Sequence, residues 1–330
     1  MKITLKITDR QEYLTVNPLT TIPRYIRNRI AGVPIAFLSL FCWTMPVTVG
    51  QNIPILDRPY NPADLTKFQE TSSCAACNLV GVDLSNLDLR GVNLSSSNLT
   101  GANFRGSDLR AADLSGANLT DANLENANLR GAELTGVKLV RANLYRAELI
   151  GANLFLVNLE SANLEEVKLS GTNLSEVYIE QANLRGAELN GTNFSNAQMT
   201  GVTLARAQLR GANLTSANLA NANLSRATFQ GAQMIGVSLR NSDLSDVNFR
   251  GANLEKADLV NTDLRRANLI GANLARVQLI EALLIDVQVR GADFTEANLL
   301  KADTTDTNLK EANLCNATLP DSEKGDCPES

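Results

Sequence analysis

Residues 117–131 read Ala-Asn-Leu-Thr-Asp, Ala-Asn-Leu-Glu-Asn and Ala-Asn-Leu-Arg-Gly, which are three pentapeptides of one pattern. The same period runs without insertion from Cys77 to Asp321 and makes 49 consecutive blocks. The third position is Leu in 39 blocks and Phe, Met, Ile or Val in nine more, so that only Thr304 breaks the apolar rule. A strict repeat over about three quarters of a chain predicts a solenoid.

Each block reads as a short extended side followed by a corner. In extended chain Ala117 and Leu119 share a parity and can both point inward, whereas Asn118 between them points outward. The last two residues of a block are mostly polar or Gly and favour a turn. We therefore predict that Leu119 and its counterpart Leu219 are fully buried, and that Asn118 and Thr120 are exposed.

A second period of twenty residues sets the number of sides in one coil. Within this series only Ala111 and Glu311 interrupt a ladder of glycines. The ladder consists of Gly91, Gly131, Gly151, Gly171, Gly191, Gly211, Gly231, Gly251, Gly271 and Gly291. Four blocks then make one coil, and Gly recurs at one corner because a corner with positive φ is most easily formed by Gly. The prediction is a square, all-β solenoid of about 12 coils, roughly 60 Å long at the usual strand spacing.

This pattern resembles the pentapeptide-repeat family, and the resemblance covers residues 77–321. It implies a right-handed quadrilateral parallel β-helix. The ends of a solenoid need covers, and Asn61-Pro62 is typical of a helix start, with Asn as N-cap and Pro at the first helical position. Leu65 and Phe68 fall on one face of this short capping helix and can plug the first coil.

The predicted organisation has four segments. Residues 1–50 form a signal peptide or membrane anchor, 51–76 a linker and N-terminal cap, 77–321 the solenoid and 322–330 a C-terminal tail.

The apolar run at residues 30–49 carries no charge and follows Arg24, Arg27 and Arg29. A basic region before an apolar run and small residues is typical of an export signal, and twenty apolar residues also suffice for an uncleaved anchor. In both cases the repeats lie outside the cytoplasm. The leader is long for a signal, so Met1 is either upstream of the true start or part of an anchor. The alternative is a buried element that packs on the solenoid.

Four cysteines remain outside the leader, with Cys74 and Cys77 at the first block and Cys315 and Cys327 near the end. An even number in an exported chain predicts two disulfides, one at each end. A zinc site of all four is excluded because the pairs lie about 60 Å apart. A redox-active Cys-x-x-Cys is the alternative for the first pair. The apolar leader and the terminal cysteines resemble exported cyanobacterial pentapeptide-repeat proteins, which implies the periplasm or thylakoid lumen.

The repeats offer no residue set for catalysis. The chain has no His, and its one Trp is Trp43 in the leader. General-base catalysis would need a carboxylate or lysine with a shifted pKa in a desolvated cleft, which a convex rod does not provide. We predict a non-enzymatic protein with no catalytic, cofactor or metal site and no cofactor.

The surface charge is uneven. Residues 77–321 contain 21 Lys and Arg against 27 Asp and Glu, yet the face with the glycine ladder is net basic. Its basic stripe consists of Arg90, Arg110, Arg130, Arg210, Arg250, Arg290 and Lys310. The stripe is either a docking site for an acidic partner or a set of long side chains that cover coil edges in water.

Outward apolar residues cluster near the C-terminal end. Val260, Ile280 and Leu300 occupy one outward position in successive coils, with Leu283 and Ile285 on the adjacent face. We name these five residues the C-terminal patch. A contiguous apolar patch usually marks a contact surface. A second, weaker cluster is Ile150, Phe155 and Leu156. Both clusters are alternatively tolerated wall substitutions.

Two functions from different classes remain. The first is a rigid interaction scaffold outside the cytoplasm that binds a protein partner, with a homodimer as one option and no nucleic acid. The membrane is involved only through an uncleaved leader. The second is an acidic rod that mimics DNA and binds a type II topoisomerase, as some members of the resembled family do. The mild net charge of −5 and the export signal disfavour the second.

Overall fold

The computed structural model describes residues 3–6, 13–16 and 60–327. Strands β1 (Ile3–Lys6) and β2 (Tyr13–Val16) pair in antiparallel fashion, with Ile3 opposite Val16. The sequence analysis did not anticipate this pair. The apolar run at 30–49, on which the signal or anchor prediction rests, lies outside the described residues. No helix in the described ranges is long and apolar enough to cross a membrane.

The repeat region winds into coils of twenty residues. Asn118 is bridged in parallel to Asn98 in the coil before and to Lys138 in the coil after. Leu119 N donates to Lys138 O at 2.7 Å, and Asn118 N donates to the carbonyl of Ser97 at 2.9 Å. The same bonds recur on all four sides, so the fold is the predicted right-handed quadrilateral β-helix, built almost wholly from single-residue bridges.

The centre of each coil is filled by the third residue of every block. Leu119 and Leu219 are both 0 % exposed, as predicted, and Ala117 is also fully buried. Where the central side chain is larger than Leu, it can stack on its counterpart in the next coil, as Phe229 does on Phe249 with ring centroids 5.2 Å apart. The inward residue two positions before each central residue is mostly the small Ala, which lets the walls of the coil approach closely around a fully buried core.

The outward positions are less exposed than predicted. Asn118 and Thr120 are half-buried, not exposed. The reason is that the Asn118 side chain turns toward the corner that follows it. Its Oδ1 accepts hydrogen bonds from Thr120 N at 3.1 Å and from Thr120 Oγ1 at 2.7 Å. This local turn bond repeats along the rod and covers much of each side chain.

The corners correct the expectation about glycine. Gly131 has φ +64°, but Asp121 (+58°) and Ala111 (+54°) adopt the same left-handed conformation. All four corners are therefore left-handed, and the glycine ladder marks only the corner where Gly is most frequent. Each corner amide bonds to the next coil, as Asp121 N does to Val140 O at 3.0 Å. That bond offsets the roughly 1–2 kcal/mol cost of a left-handed non-glycine residue.

Helix α1 (Pro62–Thr71) covers the first coil as predicted. Asn61 is its N-cap and accepts from Ala63 N at 3.0 Å, and the helix buries Leu65 and Phe68. Both backbone groups of Asn78 are held by the helix start, since Asn78 N donates to Asp64 Oδ2 (2.8 Å) and its carbonyl accepts from Asn61 N (2.9 Å).

The C-terminal residues fold back on the last coil. A 3-10 helix (Leu309–Glu311) interrupts the wall, and Thr318 pairs in antiparallel fashion with Lys324. Gly325 N donates to Ala317 O at 2.9 Å. A Cβ on Gly325 would lie 2.3 Å from Leu314 O, so only Gly fits under this turn. Of the residues predicted as a tail, those described, 322–327, thus fold back onto the last coil.

Each end of the rod carries a disulfide. Cys74 is joined to Cys77, and Cys315 to Cys327 across a sequence separation of 12. Cys74 is 0 % and Cys77 3 % exposed. Redox-active cysteines sit in partly exposed, electropositive surroundings, so this burial supports a structural role for the first pair.

Candidate interaction surfaces

Three residues of the C-terminal patch form a stack in the structure. Val260, Ile280 and Leu300 stack in successive coils, because Asn261 N donates to Ile280 O (3.0 Å) and Glu281 N donates to Leu300 O (3.1 Å). All three side chains are half-buried. The stack is therefore an apolar strip set into the wall.

The second part of the patch lies on the adjacent face. Leu283 is 37 % exposed and is bridged to Asp263 and Asp303. It thus occupies a position where neighbouring coils have carboxylates. Ile285 is half-buried, and its carbonyl accepts from Arg266 N at 3.0 Å.

The cluster regarded as weaker is the more exposed one. Phe155 is 57 % and Leu156 is 64 % exposed, whereas Ile150 is half-buried. Tyr178, 56 % exposed, lies in the next coil and was missed. The signal was available, because Tyr178 stands at an outward position that is Asn or Asp in most blocks.

The wall is open beside this cluster. Asn153 is bridged to Glu133, and Asn173 to Asn193, but Asn153 and Asn173 are not bridged to each other. In residues 60–327 the amides of Leu154 and Leu156 have no backbone acceptor, although the equivalent amides in other coils do. The hydroxyl of Thr172 is buried without a hydrogen-bond partner. We call this break between residues 152–156 and 172–176 the ladder gap.

The basic stripe is neutralised at its N-terminal end. Arg90 and Arg110 each bind the aspartate two residues earlier through two nitrogens, at 2.6–2.8 Å. Arg130 lies 3.9 Å from Glu148. Hydrogen bonds from the arginines lower the pKa of Asp88 and Asp108.

The rest of the stripe is different. Arg210, Arg250, Arg290 and Lys310 are exposed and form no ion pair with another residue in the described ranges. Any docking by the stripe would therefore use its C-terminal half.

A polar groove on the wall that also carries Leu283 and Ile285 was missed by the sequence analysis. It has a volume of about 390 Å³ and is open to solvent. Its charged lining consists of Arg185, Arg206, Arg226, Arg266, Asp243 and Asp246. The short side chains of Ala205, Ser225 and Ser245 form the depression between them. We call it the arginine groove. The sequence did contain an indication of it, because Arg206, Arg226 and Arg266 are spaced by multiples of twenty residues and so occupy the same corner in different coils.

The shifted pKa values have ordinary causes. Hydrogen bonds from Arg265 lower the pKa of Asp263, those from Arg266 lower the pKa of Asp246, and those from Thr305 lower the pKa of Asp303. These are signatures of surface pairs and turns. One oxygen of Asp64 lies within 4.8 Å of the Cys74 and Cys77 sulfurs. Both sulfurs are consumed in the disulfide and Asp64 Oδ2 accepts from Asn78 N, which disfavours metal binding there.

The coil geometry and the sequence together define a repeat solenoid. A family model of pentapeptide repeats matches residues 77–155 and 158–322. The chain therefore belongs to the pentapeptide-repeat family.

Solved structures of this family give matches of limited extent. HetL, involved in heterocyst differentiation regulation in the cyanobacterium Nostoc, is 28 % identical over 74 % of this chain and 90 % of its own, with a TM-score of 0.25. A trypsin-treated form of QnrB1, a plasmid-mediated fluoroquinolone resistance protein, is 23 % identical over 49 % and 79 %, with a TM-score of 0.42. A pentapeptide-repeat protein from the Arabidopsis thaliana thylakoid lumen is 30 % identical over 38 % and 70 %, with a TM-score of 0.19. The comparison with curated proteins gave no match.

Proposed function

We propose that this protein is a non-enzymatic, rigid scaffold that works outside the cytoplasm and binds a protein partner through the C-terminal patch. The observation that carries the proposal is the stack of three outward apolar residues with Leu283 on the adjacent wall. Leu283 replaces a carboxylate position between Asp263 and Asp303, beside the stack of Val260, Ile280 and Leu300. Contiguous apolar surface of this kind usually marks a contact site.

Two features support a location outside the cytoplasm. The basic and apolar leader at residues 24–49 is typical of export. The two disulfides, one at each end of the rod, are bonds that persist in oxidising compartments. Cell fractionation with non-reducing mass spectrometry tests this part. A cytoplasmic protein with free thiols would reject it and favour the DNA-mimic alternative.

The patch is tested by Ile280→Asp, which places a charge at its centre without touching the buried Leu279. Val140→Asp is the matched control, since Val140 occupies the same outward row, is also half-buried and stands alone between Thr120 and Glu160. Crosslinking in intact cells and sedimentation of the purified protein are the measurements.

We expect Ile280→Asp to lose a crosslinked partner, or the dimer if the partner is a second copy, while Val140→Asp keeps it. If both variants retain every contact of the parent, the patch is a tolerated wall substitution and the proposal fails.

A further inference from the structure

The corner arginines of this rod are normally paired with an acid one coil away. Arg141 binds Asp121 at 2.7 Å and Arg146 binds Glu166 at 2.6 Å. The same holds for Arg276 and Glu296 at 3.0 Å. In these three pairs, charges of opposite sign one coil apart balance each other.

Arg206 departs from this pattern. The residues above and below it in the corner series are Gly186 and Arg226, so neither neighbour offers a carboxylate. Arg206 and the adjacent Arg185 are exposed, and neither forms an ion pair with any other part of the described chain. Two cations at the N-terminal half of the arginine groove are therefore not engaged in an ion pair, even though Glu165 stands one coil before Arg185.

Arg226 adds a third, weakly matched cation. Its Nε lies 3.8 Å from Asp246 Oδ2. Asp246 is already bound by Arg266 through Nε at 2.7 Å and a terminal nitrogen at 2.8 Å. Because one carboxylate serves two arginines, the corner has an excess of positive charge. Like charges at a coil spacing of roughly 4.8 Å repel by about 1 kcal/mol even in water, and a bound anion would remove that cost.

We propose that the arginine groove binds the carboxylates of an extended, acidic peptide segment on a protein partner. Guanidinium groups present a planar fork that fits a carboxylate through two hydrogen bonds. The short Ala205 and Ser225 leave space between the forks, and Thr203 and Asn223 add polar groups to the groove. The groove extends over about four coil spacings, roughly 19 Å, which suits several residues of extended chain.

The charge of the protein distinguishes this occupant from a nucleic acid. The chain has a net charge of −5, so a long polyanion that contacts several walls would meet repulsion outside the groove. A short acidic segment confined to one wall avoids it. The groove borders the C-terminal patch, because Arg266 N donates to the Ile285 carbonyl, but the two proposals are tested with variants at different residues and with different probes, so that one can fail without the other.

The test uses the whole chain and a fluorescent hexaglutamate peptide, with hexaglutamine as the uncharged control and binding followed by anisotropy. Arg206→Ala with Arg226→Ala removes two groove charges. Arg141→Ala with Arg146→Ala removes two paired charges outside the groove and keeps net charge equal between the double variants. Thermal melts establish that both variants fold.

We expect hexaglutamate to bind more tightly than hexaglutamine, with affinity that falls as salt rises. The groove variant should weaken hexaglutamate binding at least tenfold and the control variant less than twofold. Equal losses in the two variants, no preference over hexaglutamine, or tighter groove-dependent binding of a single-stranded oligonucleotide would each overturn the proposal.

Discussion

The ladder gap and the interval between Asn193 and Asn213 on the same wall are built from similar pentapeptides but are bonded differently. Asn193 and Asn213 are bridged, and Asn213 Nδ2 donates to Asn193 Oδ1 at 3.1 Å. Asn153 and Asn173 make neither contact. Since both intervals have Asn before a buried apolar centre, the centre alone does not close the wall.

The difference lies at the corner. Phe155 and Leu156 occupy corner positions where the equivalent residues one coil earlier are Thr135 and Gly136. Thr135 Oγ1 bonds back to Glu133 Oε1, while Phe155 and Leu156 have no polar group to turn toward the wall. The comparison associates the gap with two successive apolar corner residues, since a single one, Ile235, leaves Gln233 bridged to Asn253 on the same wall.

The largest expected effect is on core packing. Leu214→Ala in the intact interval should lower the free energy of unfolding by about 2–5 kcal/mol, because Leu214 is fully enclosed. Leu154→Ala should cost at least about 1 kcal/mol less, since a cavity beside the gap can relax. Denaturant titration measures both, and equal losses would show that the gap is packed as tightly as the intact wall.

Hydrogen exchange should show the gap directly. The amide of Leu214 donates to Gln233 O at 2.7 Å, whereas that of Leu154 has no acceptor in the described chain. We expect Leu154 and Leu156 to exchange at least about a hundredfold faster than Leu214 and Ser216. Similar protection at the four sites would mean that the wall closes in solution.

Two threonines provide a matched pair of smaller effects. Thr192 Oγ1 donates to Leu169 O at 3.0 Å, so Thr192→Val should destabilise by about 1 kcal/mol. The Thr172 hydroxyl is buried and unpaired, so Thr172→Val should be neutral or stabilising by up to about 1 kcal/mol. If Thr172→Val costs as much as Thr192→Val, the Thr172 hydroxyl has a partner in solution.

The smallest effect concerns the corner itself. Leu156 is 64 % exposed at φ +56°, so Leu156→Gly should stabilise the rod by up to about 1 kcal/mol. Gly136 has φ +68° with open space around its Cβ position, and Gly136→Leu should destabilise by a similar amount. Melting temperatures that move in the same direction for both variants would contradict this account.

The sequence was sufficient for the parts of the fold that repeat or carry capping signals. The twenty-residue period predicted the coil, and Asn61-Pro62 predicted α1. The cysteine positions predicted the two disulfides. In these cases the information is local, because each residue type has one favoured place in a block or a cap.

Other features depend on contacts between residues that the repeat does not distinguish. The pentapeptide that begins at Ala152 has the usual Ala, Asn and Leu at its first three positions. The ladder gap could therefore not be predicted from the central residue, Leu154. The arginine groove forms because long arginine side chains are stacked in successive coils beside short Ala and Ser side chains. It was missed although the twenty-residue spacing of these arginines is visible in the sequence. The fold-back at Gly325 lies beyond the repeat, where no period constrains the chain.

The antiparallel pairing of Thr318 with Lys324 has a consequence for the end-to-end stacking of molecules. A parallel ladder ends with unpaired backbone groups, which invite the first coil of another molecule to continue the stack. At one wall of the final coil that place is taken by Lys324 and Gly325 running in the opposite sense. At the other end Asn61 and Asp64 occupy the backbone groups of Asn78. Because these backbone groups are already hydrogen-bonded within the molecule, they are not available to a second molecule, which disfavours end-to-end stacking into fibres.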